Sequence, residues 1–205
     1  MRSLDAAHAR AEARVQEFLE AAYSLIDERG SAEFTIREVV DKSGQSVRAF
    51  YQCFEGKDEL LLALFEDSVL EQADDLRKTV EDESDSLARL RAFTVRLYDW
   101  CEPTDSKRKP GRHQHHPIAE FAVRLSTVDP ARAELAMRPV SQLLQELLDD
   151  AVAAGAIRST DTERAAVIVK QLVMYSWFRN RTGVGASIRI SADEIWDFCL
   201  HGLGA

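Results

Sequence analysis

Apolar residues recur at intervals of three and four along most of the chain, the period expected of amphipathic α-helices. The clearest example is the segment from Val15 to Ile26, whose apolar positions form one stripe that stops before Gly30. Glycine often follows the last turn of a helix because it adopts the left-handed conformation at little cost. Nearly all periodic segments follow this pattern rather than the two-residue alternation of half-buried strands. The pattern therefore predicts an all-α fold.

Two short helices are expected after the first stripe. Thr35 and Glu38 stand three residues apart at the start of an apolar run, which is the arrangement of a capping box. Gly44 is expected to end this helix, and Ser46 is placed to cap the next one. A long amphipathic helix is then predicted to begin at Lys57.

The remainder of the chain predicts further helices. Their expected bounds are Leu87–Trp100, Ile118–Leu125, Pro130 to about Ala154, Thr160 to about Arg181 and Ser191–Leu203. No linker rich in glycine and serine precedes them, so the long helix from Lys57 is expected to join the two parts. The predicted architecture is a three-helix N-terminal domain over residues 1–56 and a larger helical C-terminal domain over residues 57–205.

Composition and charge limit the classes of protein. With 205 residues, of which 45% are apolar and 30% charged, the chain suits a folded protein with a full hydrophobic core. It lacks an apolar run near the roughly 20 residues of a membrane span, and residues 1–14 lack the apolar core of a signal peptide. We therefore expect a cytoplasmic protein without membrane contact. Since the net charge is −9, any binding of nucleic acid has to come from a few placed cations.

The sequence gives no sign of catalysis or metal binding. It carries no phosphate-binding glycine loop, HExxH or GxSxG motif, so neither catalytic residues nor a cofactor are predicted. Cys53, Cys101 and Cys199 are widely spaced in apolar runs, where small buried side chains are expected. His113, His115 and His116 do not share a helical face, and the neighbouring Arg and Lys side chains repel a cation. We expect a solvated loop there and no metal site.

The residue pattern of the short helix after Ser46 predicts a surface that binds a partner. Phe50 and Phe54 lie four residues apart and are expected to face inward, which leaves Arg48 and Gln52 on the opposite side. The residues expected in solvent are Val47, Arg48, Ala49, Tyr51 and Gln52. Arginine can bind guanine through two hydrogen bonds, valine and alanine can contact a thymine methyl group, and tyrosine and glutamine can reach phosphates. The two short helices therefore predict a helix-turn-helix for DNA, with ordinary helix packing as the alternative.

Residues 35–60 resemble the signature of the TetR family of transcriptional regulators. The matching positions are Thr35, Ile36, Val39, Gly44, Ser46, Phe50, Tyr51, Phe54, Lys57, Glu59 and Leu60. The helices before and after this stretch fit the same architecture. The resemblance implies an N-terminal DNA-binding domain joined to a C-terminal domain for ligand binding and dimerisation.

The resemblance also implies roles for individual residues. The positions implied to face the bases are Arg37, Val47 and Arg48, and those implied to contact phosphates are Thr35, Tyr51, Gln52 and Lys57. Gln45, Ser46 and Ala49 complete the predicted DNA-binding set. Ser43, Gln45 and Cys53 depart from the family pattern, so Gln45 is expected to face either DNA or solvent and the operator sequence stays open.

The C-terminal part is expected to bind a small-molecule effector, as the resemblance implies. Its aromatic and apolar side chains suit a hydrophobic molecule, although most of them also suit an ordinary core. The candidates for the effector site are Phe93, Leu97, Trp100, Phe121, Leu125, Met174, Trp177 and Phe178.

The last two helices are expected to pair with a partner subunit, again as the resemblance implies. The helix from Thr160 is apolar on more than one face, which favours burial on two sides. The candidate residues of the dimer interface are Ala165, Val169, Leu172, Ser176, Ile195, Trp196, Cys199 and Leu203. A large monomeric core is the alternative.

The features above predict a homodimeric transcriptional regulator, a repressor released from a near-palindromic DNA operator by a small hydrophobic effector. A helical protein-interaction module and an enzyme without DNA binding are the alternatives. Salt-sensitive binding to the DNA upstream of its own gene would favour the regulator, and absence of such binding would favour the others.

Overall fold

The computed structural model describes residues 2–101, 116–158, 161–182 and 190–204, and over these residues it contains ten α-helices and no strand. The helices are α1 (Arg2–Arg29), α2 (Ile36–Ser43), α3 (Val47–Cys53), α4 (Lys57–Glu81), α5 (Ser86–Cys101), α6 (His116–Val128), α7 (Pro130–Ala136), α8 (Arg138–Ala153), α9 (Thr162–Thr182) and α10 (Ala192–Leu203). The predicted all-α fold is confirmed. No helix in the described part of the chain is both long and apolar enough to span a membrane.

The ends of α2 and α3 follow local sequence signals. The hydroxyl of Thr35 accepts a hydrogen bond from the backbone N–H of Glu38 at 3.2 Å, and the Glu38 carboxylate accepts one from the N–H of Thr35 at 2.7 Å. The predicted capping box is thus confirmed. Gly44 follows α2 with a φ of 69°, a left-handed conformation that strains residues with a Cβ atom. The Ser46 hydroxyl accepts from the N–H of Ala49 and begins α3.

The segment from Pro130 to Ala154 differs from the prediction of one continuous helix. It forms α7 and α8, which are separated at Met137. Pro139 stands in the first turn of α8, so it has no N–H to donate to the carbonyl of Leu135, and its ring would clash with that carbonyl in a continuous helix. The interruption at Met137 removes the clash, and the proline was the sequence signal for it.

The chain forms two compact units. The first consists of Met1–Ser68 and Lys109–Ala136, and the second of Val69–Arg108 and Met137–Ala205. Helix α4 contributes to both, because it runs without interruption from Lys57 to Glu81. The functional division between residues 56 and 57 stays a prediction.

The first unit is built around α1, which packs against α2 and α3. The ring of Phe18 in α1 meets those of Phe50 and Phe54 edge-on, at 5.4 and 6.0 Å between centroids. Tyr23 of α1 donates a hydrogen bond to the carbonyl of Leu64 in α4 at 2.9 Å. These contacts fix one side of α3 against α1 and leave Val47, Arg48, Tyr51 and Gln52 exposed on the other side.

The second unit is built around α5, which packs against α8, α9 and α10. Phe93 and Leu97 of α5 are fully buried. Tyr98 donates to the carbonyl of Ile190 at 2.6 Å and so fixes the entry to α10. Ser191 and Glu194 then form a second capping box. Burial of α5 by three neighbouring helices makes it the central element of this unit.

Candidate nucleic-acid interface

The outward side of α3 carries the candidate base-contacting side chains. Because the phenylalanines of α3 are buried, the opposite side of the helix faces solvent. Val47 is 51% exposed and Tyr51 is 58% exposed, and Arg48 and Gln52 are exposed beside them. The predicted outward orientation of these four residues is confirmed, and their contact with DNA stays a prediction.

Ala49 does not have its predicted orientation. It is only 8% exposed, so it is part of the packed side of α3. Ala49 precedes the buried Phe50 by one position, which is about 100° of rotation around the helix, and α3 has two neighbours, α1 and α2, to cover so wide an arc. The expectation that Ala49 faces solvent is therefore wrong, and its contact with a thymine methyl group stays a prediction.

Two glutamines at the ends of α3 are hydrogen-bonded to α1. Gln45 is half-buried, and its Nε2 donates to a carboxylate oxygen of Glu17. Gln52 is exposed, and its Oε1 accepts from Nη1 of Arg14 at 3.3 Å. Gln45 was expected to face DNA or solvent, whereas the structure turns it to α1. Sequence spacing could not show this, because Glu17 stands 28 positions away.

Lys57, a predicted phosphate contact, is engaged inside the first unit. Its Nζ donates to the carbonyl of Ala32 at 2.7 Å and lies 4.6 Å from the centroid of the Phe34 ring. Burial lowers the pKa of Lys57, and the nearby carboxylates of Asp58 and Glu33 oppose this effect. The ammonium group therefore ties the start of α4 to the segment before α2. A phosphate has to compete with these contacts.

The start of α2 holds Thr35 and Arg37, two further members of the predicted set. Thr35 is exposed but its hydroxyl serves the capping box with Glu38, which also accepts a hydrogen bond from Arg29. The bond from Arg29, followed by those from Thr35, lowers the pKa of Glu38 to about 2. Arg37 is exposed, with its Nε 3.9 Å from Asp41 one turn further on. Arg37 thus has the exposure that a base or phosphate contact requires.

The predicted effector residues are divided between the compact units. Phe121 is buried and Leu125 half-buried in the first unit, whereas Phe93, Leu97, Trp100 and Met174 belong to the second. The side chains of Trp177 and Phe178 lie outside the part of the chain that the structure describes. Grouping of these residues into one site stays a prediction.

Trp100 belongs to a polar cluster that sequence analysis missed. Its Nε1 donates to Oδ2 of Asp75 at 2.8 Å, and Nε of Arg96 donates to the same oxygen at 2.6 Å. Burial opposes ionisation of Asp75, but the bonds from Arg96 and Trp100 outweigh it, so the pKa of Asp75 lies below its usual value. The cluster ties α4 to α5 within the second unit.

The predicted dimer residues occupy the inner side of α9 and α10. Those that are buried within the protomer are Ala165, Val169, Ser176, Ile195, Trp196, Cys199 and Leu203, and Leu172 is half-buried. Burial raises the pKa of the Cys199 thiol to about 11, so the thiol stays protonated. The seven buried side chains pack within their own protomer and leave little surface for a second one, while Leu172 and the use of α9 and α10 in a dimer stay predictions. The apolar side chains that α9 and α10 do expose are Val167, Ile168, Tyr175 and Phe198.

The histidines considered for metal binding give no site in the described chain. His113 and His115 lie outside the described residues, as does the side chain of His116. Among the residues that the structure does describe, no group of three or more His, Cys, Asp or Glu side chains could hold a metal ion.

Comparison with known sequences identifies one family. Residues 18–64, which span the C-terminal part of α1, both helices of the helix-turn-helix and the start of α4, match the family model of bacterial regulatory proteins, tetR family. No curated protein sequence matches the chain.

Comparison with solved structures extends the likeness to the C-terminal helices. The fatty acid degradation regulator FadR from Bacillus halodurans has a TM-score of 0.63 at 17% identity, covering 93% of this chain and 96% of its own. The transcriptional regulator FadR from Bacillus subtilis, in complex with stearoyl-CoA, has a TM-score of 0.61 at 12% identity, covering 93% and 97%. RolR, in complex with resorcinol, has a TM-score of 0.68 at 16% identity, covering 96% and 90%. At these identities the likeness shows the fold.

Proposed function

We propose that this chain, which carries the N-terminal domain of the tetR family of bacterial regulatory proteins over residues 18–64, is a cytoplasmic repressor that binds operator DNA as a homodimer. The observation that carries the proposal is the outward side of α3. Its buried phenylalanines hold the helix against α1, and Arg48 stands on the opposite side among exposed residues. A helix that presents such residues on a rigid support suits the major groove.

Arg48 is the residue on which base recognition is proposed to depend. Within the described part of the chain no carboxylate lies within ion-pair distance of Arg48, so its guanidinium group is available to a guanine edge. Val47 beside it suits a thymine methyl group, and Tyr51 and Gln52 suit phosphates.

The experiment is a gel-shift titration of the full-length protein with the DNA upstream of its own gene. Arg48→Ala is expected to weaken binding by about 1–3 kcal/mol per half-site, concentrated at one base position. Arg77→Ala is the matched control, because Arg77 is an exposed arginine of α4 and its replacement changes the net charge equally. Binding of Arg48→Ala at wild-type strength would contradict the site assignment.

The homodimer is proposed to form through the exposed sides of α9 and α10. These helices contact one another and leave Ile168 51% exposed and Phe198 68% exposed. Exposed apolar side chains on adjacent helices mark a protein interface. A dimer with two-fold symmetry places its two recognition helices in successive major grooves, about 34–36 Å apart, of a near-palindromic operator.

Light scattering coupled to size exclusion tests the dimer. Ile168→Asp and Phe198→Asp are expected to give monomers at micromolar concentration, because a carboxylate buried in the interface loses its hydration. Val128→Asp is the control, since Val128 of α6 is 78% exposed and lies in the other compact unit. A dimer that survives both charged substitutions would place the interface elsewhere.

A hydrophobic small molecule is proposed to bind among the helices after Leu87 and to release the operator. Proteins with the same fold are described in complex with stearoyl-CoA and with resorcinol, both of which carry apolar carbon frameworks. The buried Phe93 and Leu97 supply apolar contacts, and Trp100 supplies an aromatic face. Release requires that the molecule binds the DNA-incompetent arrangement more tightly, and a coupling of about 1–3 kcal/mol lowers operator affinity by roughly 5–150-fold.

Tryptophan fluorescence tests the effector site. Titration with stearoyl-CoA and with resorcinol, each in the presence and absence of operator, is expected to quench emission for the ligand that fits. Trp100→Phe should remove most of this quenching if the ligand lies beside Trp100. Saturable quenching without any change in operator affinity would contradict effector control and leave a constitutive DNA-binding protein.

A further inference from the structure

Three polar side chains on one side of α1 lie along α3, the proposed recognition helix. Arg10, Arg14 and Glu17 recur at intervals of four and three, so they lie along one side of α1. Glu17 accepts from Gln45, which immediately precedes the N-cap of α3, and Arg14 donates to Gln52 near the end of α3. This side of α1 therefore lies beside both ends of α3.

Arg10 extends the same line past the end of α3. It stands four residues before Arg14, which is about 6 Å along the axis of α1, and its side chain is exposed. Arg14 is half-buried, and its guanidinium group donates to the exposed Gln52. Arg14 therefore lies beside the exposed side of α3, and Arg10 lies about one turn further along the same side of α1.

Arg10 and Arg14 share with Arg48 the lack of an ion pair in the described part of the first unit. Several neighbouring cations are held by the protein itself, since Arg29 binds Glu38, Lys42 binds Glu28, and Lys57 donates to a backbone carbonyl. In the part of the chain that the structure describes, no carboxylate lies within ion-pair distance of Arg10 or Arg14. A protein with a net charge of −9 has few such cations near its recognition helix.

We propose that Arg10 and Arg14 bind phosphates of the DNA strand beside the recognition helix, as a second contact surface formed by α1. The inference rests on the proposed DNA-binding function and adds a surface that begins before residue 18, where the family match starts. Contacts of this kind add affinity without reading sequence, because every base pair carries the same phosphates. Arg14 additionally holds Gln52 in position for its own phosphate.

Fluorescence anisotropy of the full-length protein tests the proposal with two duplexes, a fragment of its own upstream DNA and a duplex of unrelated mixed sequence. Arg10→Ala and Arg14→Ala should each remove two phosphate contacts per dimer, so the slope of log K against log salt falls by about two for each variant. Both duplexes should be affected equally, with roughly tenfold or greater loss of affinity near 0.1 M salt. Arg77→Ala, with the same change in charge, should leave slope and affinity at wild-type values.

Arg14→Lys separates the charge from the hydrogen bond to Gln52. Lysine keeps the positive charge and loses the planar donor, so the slope is expected to stay near that of the wild type. Unfolding by heat should be unchanged in all of these variants, which shows that the domain still folds. If Arg10→Ala and Arg14→Ala keep the wild-type slope while Arg48→Ala loses operator binding, the proposal is wrong and the proposed function stands. If the wild-type protein binds neither duplex, both are wrong.

Discussion

Helix α3 and the pair α9–α10 are all amphipathic, yet their exposed sides differ in composition. α3 exposes Arg48 and Gln52 beside Val47 and Tyr51, whereas α9 and α10 expose Ile168 and Phe198. A cationic and polar surface stays hydrated until it meets a phosphate or a base edge. An apolar surface of adjacent helices is stabilised by covering it with protein. The difference supports DNA as the partner of α3 and a second subunit as the partner of α9 and α10.

The largest expected effect comes from the buried side of α3. Phe50→Ala removes a fully buried ring that packs against Phe18 and Phe54, so the free energy of unfolding of the first unit should fall by about 3–5 kcal/mol. Tyr51→Ala, on the exposed side, should cost less than about 1 kcal/mol while weakening DNA binding. Urea unfolding followed by circular dichroism distinguishes the two. A similar fall in the free energy of unfolding for both variants would mean that α3 has no distinct outer side.

Helix α9 also has a buried side and an exposed side. Val173 is fully buried, so Val173→Ala should lower the free energy of unfolding by about 1–3 kcal/mol at every protein concentration. Ile168→Ala should instead shift the dimer dissociation constant, and its effect on unfolding should depend on protein concentration. Unfolding curves at two concentrations a hundredfold apart check this. A concentration-independent loss for Ile168→Ala would assign Ile168 to the protomer core.

A smaller loss of stability is expected from a substitution in the turn between α2 and α3. Gly44 has a φ of 69°, so Gly44→Ala should destabilise the first unit by about 1–2 kcal/mol through backbone strain alone. Gly56 is the matched control, because its φ is not left-handed and an added Cβ meets nothing within 4 Å. Thermal unfolding of both variants should therefore show a lower melting temperature for Gly44→Ala only. Equal melting temperatures would show that the turn relaxes without strain.

The smallest expected effect is the change of stability with pH that comes from the two capping boxes, one in each compact unit. Glu38 has a pKa of about 2 because Arg29 and then Thr35 donate to it, whereas the pKa of Glu194 is lowered by Ser191 alone. Both folded-state pKa values lie below the unfolded ones, so each contribution to stability is present at neutral pH and is lost as the pH falls below about 4.5 toward the folded value. An NMR titration should show Glu194 protonating before Glu38. Arg29→Ala should bring the pKa values of Glu38 and Glu194 closer together. An unchanged titration of Glu38 would contradict the role of Arg29.

Local signals in the sequence were sufficient for most of the helices. The capping box of Thr35 and Glu38 determines where α2 begins, Gly44 where it ends, and Ser46 where α3 begins, because caps and left-handed glycines act on residues within four positions. Pro139 acts at the same range, since its missing N–H and its ring interrupt the helix at Met137. The spacing of Phe50 and Phe54 also placed Arg48 and Gln52 on the outer side of α3 correctly, but not Ala49, because α1 and α2 together cover a wider part of the helix than one apolar stripe indicates.

Only the tertiary structure decided which contacts join distant segments. Lys57 meets the carbonyl of Ala32, and Gln45 meets Glu17, over separations of 25 and 28 positions that no period of the sequence encodes. For α9, apolar residues on several sides gave no unique inner face, so the sequence predicted burial correctly but did not show which residues the protomer itself covers. The physical reason is that periodicity reports how much of a helix is apolar, while the neighbouring helices α5, α8 and α10 determine which part is covered.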